Sequence, residues 1–204
     1  MADTQGASLN EDASESHGAP DHQGMPNSGG TPSARGAAWG WYALALSVLI
    51  ADQATKALAS KELLYAVPQE VFFWLNMTLH HNQGAAFSFL SDAGGWQRWF
   101  FAVLAVAVSA TLVVWLRQLT QQQRWLALGL SLVLGGAIGN LVDRLRLGYV
   151  VDFISVHYDT WYFPTFNIAD AAISVGAALI VIDSIWPQGQ SDDSKSAVET
   201  GDGK

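Results

Sequence analysis

The chain has 204 residues, of which 50% are hydrophobic and only 14% charged, with no cysteine and a formal net charge of −8. The missing cysteines exclude disulfides, thiolate catalysis and thiolate metal sites. Most of the charge lies at the ends, so the middle is far more apolar than the average, which suits a bilayer better than the core of a soluble helical bundle.

Residues 1–36 read as a disordered acidic tail. Up to residue 34 there are five acidic groups, no Lys or Arg, and many Gly, Ser, Ala and Pro. Ala57-Leu58-Ala59 has the small residues of a signal-peptide cleavage site, but the long acidic leader lacks the basic start of one. A membrane domain is expected over 37–187, with a first span from Ala38 to Leu58.

An extracytoplasmic β segment is expected over 60–98. Val71-Phe72-Phe73-Trp74-Leu75 and Met77-Thr78-Leu79 have strand character, and Asn82-Gln83-Gly84 supplies a turn. Asn82 and Gly84 there suit either an ordinary hairpin turn or the offer of amide groups to an extended peptide, and local sequence does not separate the two. His80 and His81 alternate across a strand, and no H-E-x-x-H is present, so no metal is expected. The second span runs from Trp99 to Leu116, with no charge between Phe100 and Trp115.

A third span is expected from Trp125 to Val142, an extracytoplasmic loop over 143–167 that includes His157, and a fourth span from Ile168 to Trp186. Trp41, Trp99, Trp115, Trp125 and Trp186 lie at or near span ends, as an interfacial belt would have them. Residues 188–204 read as a second disordered tail. The expected fold is thus an α-helical integral membrane protein of four transmembrane helices with a small extracytoplasmic β-sheet.

Four crossings return both tails to one side, and alternation then puts Asp52, Lys56, Asn140, Asp143, Arg144 and Asp170 together on the opposite face. Asp183, about 20 Å down the fourth span, falls on the tail side and outside the site. Lys and Arg divide evenly between the two sides, so the positive-inside rule is nearly silent. Discounting Lys56 and Arg144 as partners of aspartates tips it toward cytoplasmic tails.

Asp52 and Lys56 are spaced i, i+4, and Asn140, Asp143 and Arg144 i, i+3, i+4, so each cluster lies on one helix face. For Asp52, Lys56 and Asp143, fixing helix register and serving catalysis fit equally well. Gly135, Gly136 and Gly139 allow another helix to approach closely. Asp152 and Asp170 border apolar sequence, where a carboxylate must be paired, protonated or used. Two such groups brought close cannot both ionise easily, which gives an acid and a base from one residue type. A transporter would instead spread polar groups through the bilayer depth, and a scaffold would tolerate Asn at both positions.

Asp52-Gln53-Ala54-Thr55-Lys56, Asn82-Gln83-Gly84-Ala85-Ala86-Phe87, Gly135-Gly136-Ala137-Ile138-Gly139-Asn140-Leu141-Val142-Asp143-Arg144, Val151-Asp152-Phe153-Ile154 and Phe166-Asn167-Ile168-Ala169-Asp170 together resemble the bacterial lipoprotein signal peptidase (signal peptidase II) family. The resemblance covers about Trp41 to Trp186 and leaves out the acidic extension. It implies an aspartic endopeptidase of the inner membrane, without cofactor, that cuts prolipoproteins before a diacylglyceryl-modified cysteine. By that resemblance Asp152 and Asp170 form the catalytic pair, and Asn82, Asn140 and Arg144 contact substrate or support the site. Asp52, Lys56, Asp143 and Asn167 orient it. The expected partners are lipid-modified prolipoproteins and membrane lipids, and no nucleic acid.

Overall fold

The computed structural model describes residues 34–84, 96–120 and 122–186, with only the backbone described for 34–38. Four helices carry the fold: α1 (Ala34–Glu62), α2 (Trp96–Gln118), α3 (Arg124–Arg146) and α4 (Ile168–Ile185). Among the described residues, α2, α3 and α4 are long and apolar enough to cross a membrane. The 29 residues of α1 exceed the length required, but Asp52, Gln53 and Lys56 interrupt its apolar run.

The helix ends differ in detail from expectation. Helix α1 begins inside the segment read as tail and runs on to Glu62, while α2 begins at Trp96 rather than Trp99. The rest of both tails lies outside the described residues, as do residues 85–95 of the expected β segment, including Ala85, Ala86 and Phe87.

Helix α3 packs against the other three and is the most buried of them. Its glycines explain the closeness. A Cβ on Gly129 would meet the Gly176 carbonyl oxygen of α4 at 2.8 Å, and one on Gly135 would meet the Ala45 carbonyl oxygen of α1 at 2.5 Å. In a bilayer, where apolar burial gives little drive, such backbone proximity supplies the packing. Ala45, Leu112, Leu116, Leu126, Leu130 and Leu134 form the apolar core between α1, α2 and α3. The Tyr42 hydroxyl donates to the Val113 carbonyl at 2.9 Å and ties α1 to α2.

The sheet has four antiparallel strands in sequence order: β1 (Gln69–Phe72), β2 (Leu75–Asn82), β3 (Val150–Tyr158) and β4 (Trp161–Tyr162). Two expectations are corrected here. The run from Val71 to Leu75 is broken by a turn at Phe73-Trp74, and the stretch 143–167, expected as a loop, holds the end of α3 and two strands, with His157 in β3. Val150 to Phe153 are buried on both faces of β3, so the segment lacks the alternation that marks a half-exposed strand.

Candidate active site

Asp152 reaches the site on β3, whose register pairs it with His80 across a bulge in β2 between Met77 and His80. Asp170 reaches it in the first turn of α4. The 18 positions between them are closed by backbone pairing. The Phe166 N–H donates to the Ile154 carbonyl at 3.0 Å, and its carbonyl accepts from the Phe153 and Ile154 N–H groups at 3.1 and 2.9 Å. The chain thus returns alongside β3 just before α4 starts, which sets Asn167 beside Asp152.

Asn167, fully buried, joins the two carboxylates. As N-cap of α4 it accepts from the Asp170 N–H at 2.9 Å, and its own N–H donates to Asp170 Oδ2 at 3.3 Å, a reciprocal capping box. Its Nδ2 donates to Asp152 Oδ1 at 2.7 Å and to the Val151 carbonyl at 3.2 Å. One side chain therefore fixes both the start of α4 and the orientation of the acid on β3.

The other carboxylate oxygens are also held. Asn82 Nδ2 donates to Asp152 Oδ2 at 3.0 Å, and Asn82 Oδ1 accepts from the Gly84 N–H at 2.8 Å. Gly84 has φ +92°, and a Cβ there would sit 2.6 Å from the Phe101 ring, so the turn demands glycine twice over. Asn140 Nδ2 donates to Asp170 Oδ1 at 2.7 Å. Asp152 is 1% exposed, whereas Asp170 is only half-buried. Burial first, and then the charge of Asp170, push the Asp152 carboxyl up to about 6 against the opposing hydrogen bonds of Asn82 and Asn167 and the charge of Lys56.

Behind this pair lies a buried ionic cluster. Lys56 Nζ contacts Asp52 Oδ2 at 2.9 Å, Asp143 Oδ2 at 3.0 Å and Asn140 Oδ1 at 2.9 Å, which uses its three donors. Asp52 Oδ1 accepts from the Ala169 N–H at 2.9 Å, and Asp143 Oδ2 from the Val151 N–H at 3.1 Å. Gly139 makes room for this: a Cβ on it would lie 2.6 Å from Asp52 Oδ2.

Asp52, Lys56, Asn82, Gly84, Asn140, Asp143, Arg144, Asp152, Asn167 and Asp170 thus meet at one end of the helices, and Asp183 lies at the other, beside Trp125 and Trp186. Arg144 departs from expectation. It makes no close ion pair among the described residues: its Nη1 donates to the Asn140 carbonyl at 3.3 Å and its guanidinium lies 5.2 Å from the Phe101 ring centroid, while the charges of Asp170, Asp152 and Asp143 act on it at longer range. His81 stacks on Tyr149 at 4.0 Å, and burial followed by the neighbouring His80 holds its imidazole below the ordinary value. Sequence reasoning missed Gln53, whose Nε2 contacts Asp143 Oδ1, Asp52 Oδ2 and the Gly139 carbonyl. Its i, i+3 spacing from Lys56 was the available signal.

Comparison with known proteins gives the family. The family described as "Signal peptidase (SPase) II" matches residues 44–186. The chain belongs to the signal peptidase II family. Membership makes it an aspartic-type peptidase, so the carboxylate cluster is the natural place to look for its chemistry. A lipoprotein signal peptidase of Teredinibacter turnerae is 55% identical over 150 residues, covering 74% of this chain and 89% of that one. One of Pseudomonas aeruginosa is 52% identical over 149 residues, covering 70% and 86%. A solved bacterial membrane enzyme superposes with a TM-score of 0.64 at 31% identity, covering 82% of this chain and 95% of its own. A second gives 0.63 at 33% identity, covering 75% and 95%.

Proposed function

We propose that Asp152 and Asp170 are the catalytic pair of a membrane endopeptidase that removes signal peptides from prolipoproteins, cutting before a diacylglyceryl-modified cysteine. The observation that carries the assignment is the Asn167 bridge, which donates to Asp152 through its side chain and to Asp170 through its backbone. The pair shares one proton, best assigned to both groups together.

A water between the carboxyls gives a proton to the ionised one as its oxygen attacks the scissile carbonyl carbon, while the protonated one donates to the carbonyl oxygen. In the resulting diol the C–N bond breaks. The nitrogen takes the proton from the first carboxyl, and a diol hydroxyl returns one to the second, so the pair ends as it began. No acyl-enzyme forms. Asn82 and Asn167 orient Asp152, Asn140 orients Asp170, and Gly84 and Arg144 border the space where substrate lies. Asp52, Lys56 and Asp143 hold the segments that carry the pair.

In this reading α1 joins α2, α3 and α4 as a fourth span of a bacterial inner-membrane protein, with Leu46, Ile50 and Leu58 exposed to acyl chains. The termini are cytoplasmic, and the acids lie at the outer face with the sheet. A lipidated cysteine is anchored at membrane depth and brings its scissile bond there, which gives the lipid requirement a physical basis. The test is incubation of the purified protein with a diacylglyceryl-modified prolipoprotein and with its unlipidated form. Cleavage of the first alone is expected; equal cleavage of both overturns the lipid requirement, and ion flux in liposomes without proteolysis overturns the peptidase reading.

A further inference from the structure

The two carboxylates behind the pair grip equivalent points. Asp143 Oδ2 accepts from the N–H of Val151, the residue just before Asp152, and Asp52 Oδ1 accepts from the N–H of Ala169, the residue just before Asp170. Whatever fixes Asp52 relative to Asp143 therefore fixes β3 relative to the start of α4. Two neighbouring side chains of α1 do so. Lys56 bridges the carboxylates as a cation, through Asp52 Oδ2 at 2.9 Å and Asp143 Oδ2 at 3.0 Å. Gln53 bridges them as a neutral amide, from Nε2 to Asp143 Oδ1 at 2.9 Å and to Asp52 Oδ2 at 3.2 Å, with a further contact of 3.2 Å to the Gly139 carbonyl.

We infer that Gln53 is a positioning residue for the peptidase reaction: its amide locks Asp52 to Asp143 and so sets the spacing of Asp152 and Asp170. The inference rests on the assignment of those two acids. Lys56 alone leaves two carboxylates sharing one cation, a cluster of net charge −1 that repels internally in a site of low dielectric. A second donor is needed to keep both carboxylates in place. An uncharged donor supplies this without adding a third cation beside Lys56 and Arg144, both of which already act on the aspartates of the site. Glutamine meets both demands: it has two N–H donors and no charge. The groups facing it are Asp52 and Lys56 on its own helix, Asp143 and the Gly139 carbonyl on α3, and, one hydrogen bond further on, the Val151 and Ala169 amides.

The test compares Gln53→Glu with Gln53→Met in the full-length membrane protein, against a lipidated prolipoprotein across pH. Gln53→Met has no donor at any pH. It is expected to lose about tenfold in kcat with KM within about twofold, because an interaction felt mainly at the transition state is lost, and its activity relative to wild type is flat across pH. Gln53→Glu is isosteric and regains one donor only when protonated, so its activity relative to wild type rises as pH falls. Equal, pH-independent ratios for both variants overturn the inference, as does an unchanged kcat in Gln53→Met. If Gln53→Glu fails to fold even in acid, the residue carries the fold rather than the alignment, and the inference is overturned in that way. Failure of the catalytic assignment itself is separately visible, as activity surviving in Asp152→Asn or Asp170→Asn.

Discussion

The two ends of the helix bundle are held by opposite means. At one end Leu112, Leu116, Leu126, Leu130 and Leu134 pack against α1 and Gly129 meets Gly176 backbone to backbone, so that dispersion and close approach dominate, with the Tyr42–Val113 hydrogen bond beside them. At the other end Asp52, Lys56, Asn140, Asp143, Asp152 and Asn167 are all buried and joined by hydrogen bonds and ion pairs. Buried charge is a poor way to gain stability, since desolvation offsets most of the attraction. In the proposed mechanism the polar end serves what it orients, while the apolar end provides the rigid frame. Substitutions should separate the two roles.

The largest effect is expected from Lys56→Met, which leaves Asp52 and Asp143 buried without their cation. Removing one partner of such a pair costs about 3–5 kcal/mol, so unfolding in detergent should occur at markedly lower denaturant or temperature, with cleavage lost as well. A variant as stable as wild type would show the cluster to be dispensable to the fold. Leu130→Ala, at a fully buried position of the frame, is expected to cost about 2–5 kcal/mol while kcat per folded molecule stays at the wild-type level.

Two glycine substitutions sharpen the contrast. An added Cβ at Gly129 meets the Gly176 carbonyl at 2.8 Å, and one at Gly139 meets Asp52 Oδ2 at 2.6 Å. Overpacking costs about 1–3 kcal/mol in either case. Gly129→Ala should lower the melting temperature and leave kcat alone, whereas Gly139→Ala should lower kcat by displacing the carboxylate that grips Ala169. Equal kcat in the two variants would erase the distinction.

The smallest effect is a shift in pH dependence. The Asp152 carboxyl is raised from 3.8 to about 6, so the folded form binds its proton more tightly than the unfolded chain. Stability from this group is therefore greatest in acid and falls as pH rises from about 4 to about 6. Asp152→Asn should abolish that slope in unfolding measurements. In wild-type free enzyme, the alkaline limb of kcat/KM is expected near pH 6. Asn82→Ala removes a hydrogen bond that favours the ionised form, and should move that limb upward. A limb that stays in place, or moves down, contradicts the role given to Asn82.

Much of this division is legible in the sequence. Apolar runs locate α2, α3 and α4, and alternation of spans gathers Asp52, Lys56, Asn140, Asp143, Arg144 and Asp170 on one side. Helical spacing also gives the Asp52–Lys56 pair. It cannot give the Lys56–Asp143 or Lys56–Asn140 contacts, because local periodicity carries no information about which helices touch. Strand β3 is hidden for a different reason: with Val150 to Phe153 buried on both faces it has no period of two, and it reads as loop or apolar run alike. The double role of Asn167 is visible only once the Phe166 pairing with Ile154 brings the N-cap of α4 to the strand. The surroundings of Arg144 are hidden for the same reason: the Phe101 ring and the Asn140 carbonyl touch its guanidinium while Asp170, Asp152 and Asp143 act on it at longer range.

The central claim is that Asp152 and Asp170 act as one unit, and the most direct measurement is a double-mutant cycle on cleavage of a diacylglyceryl-modified prolipoprotein. Groups that share a proton cannot be lost twice, so Asp152→Asn, Asp170→Asn and the double variant should all retain the same residual rate, at least about 100-fold below wild type. Substantial activity in either single variant, or a double variant whose loss is the product of the two single losses, would contradict the account.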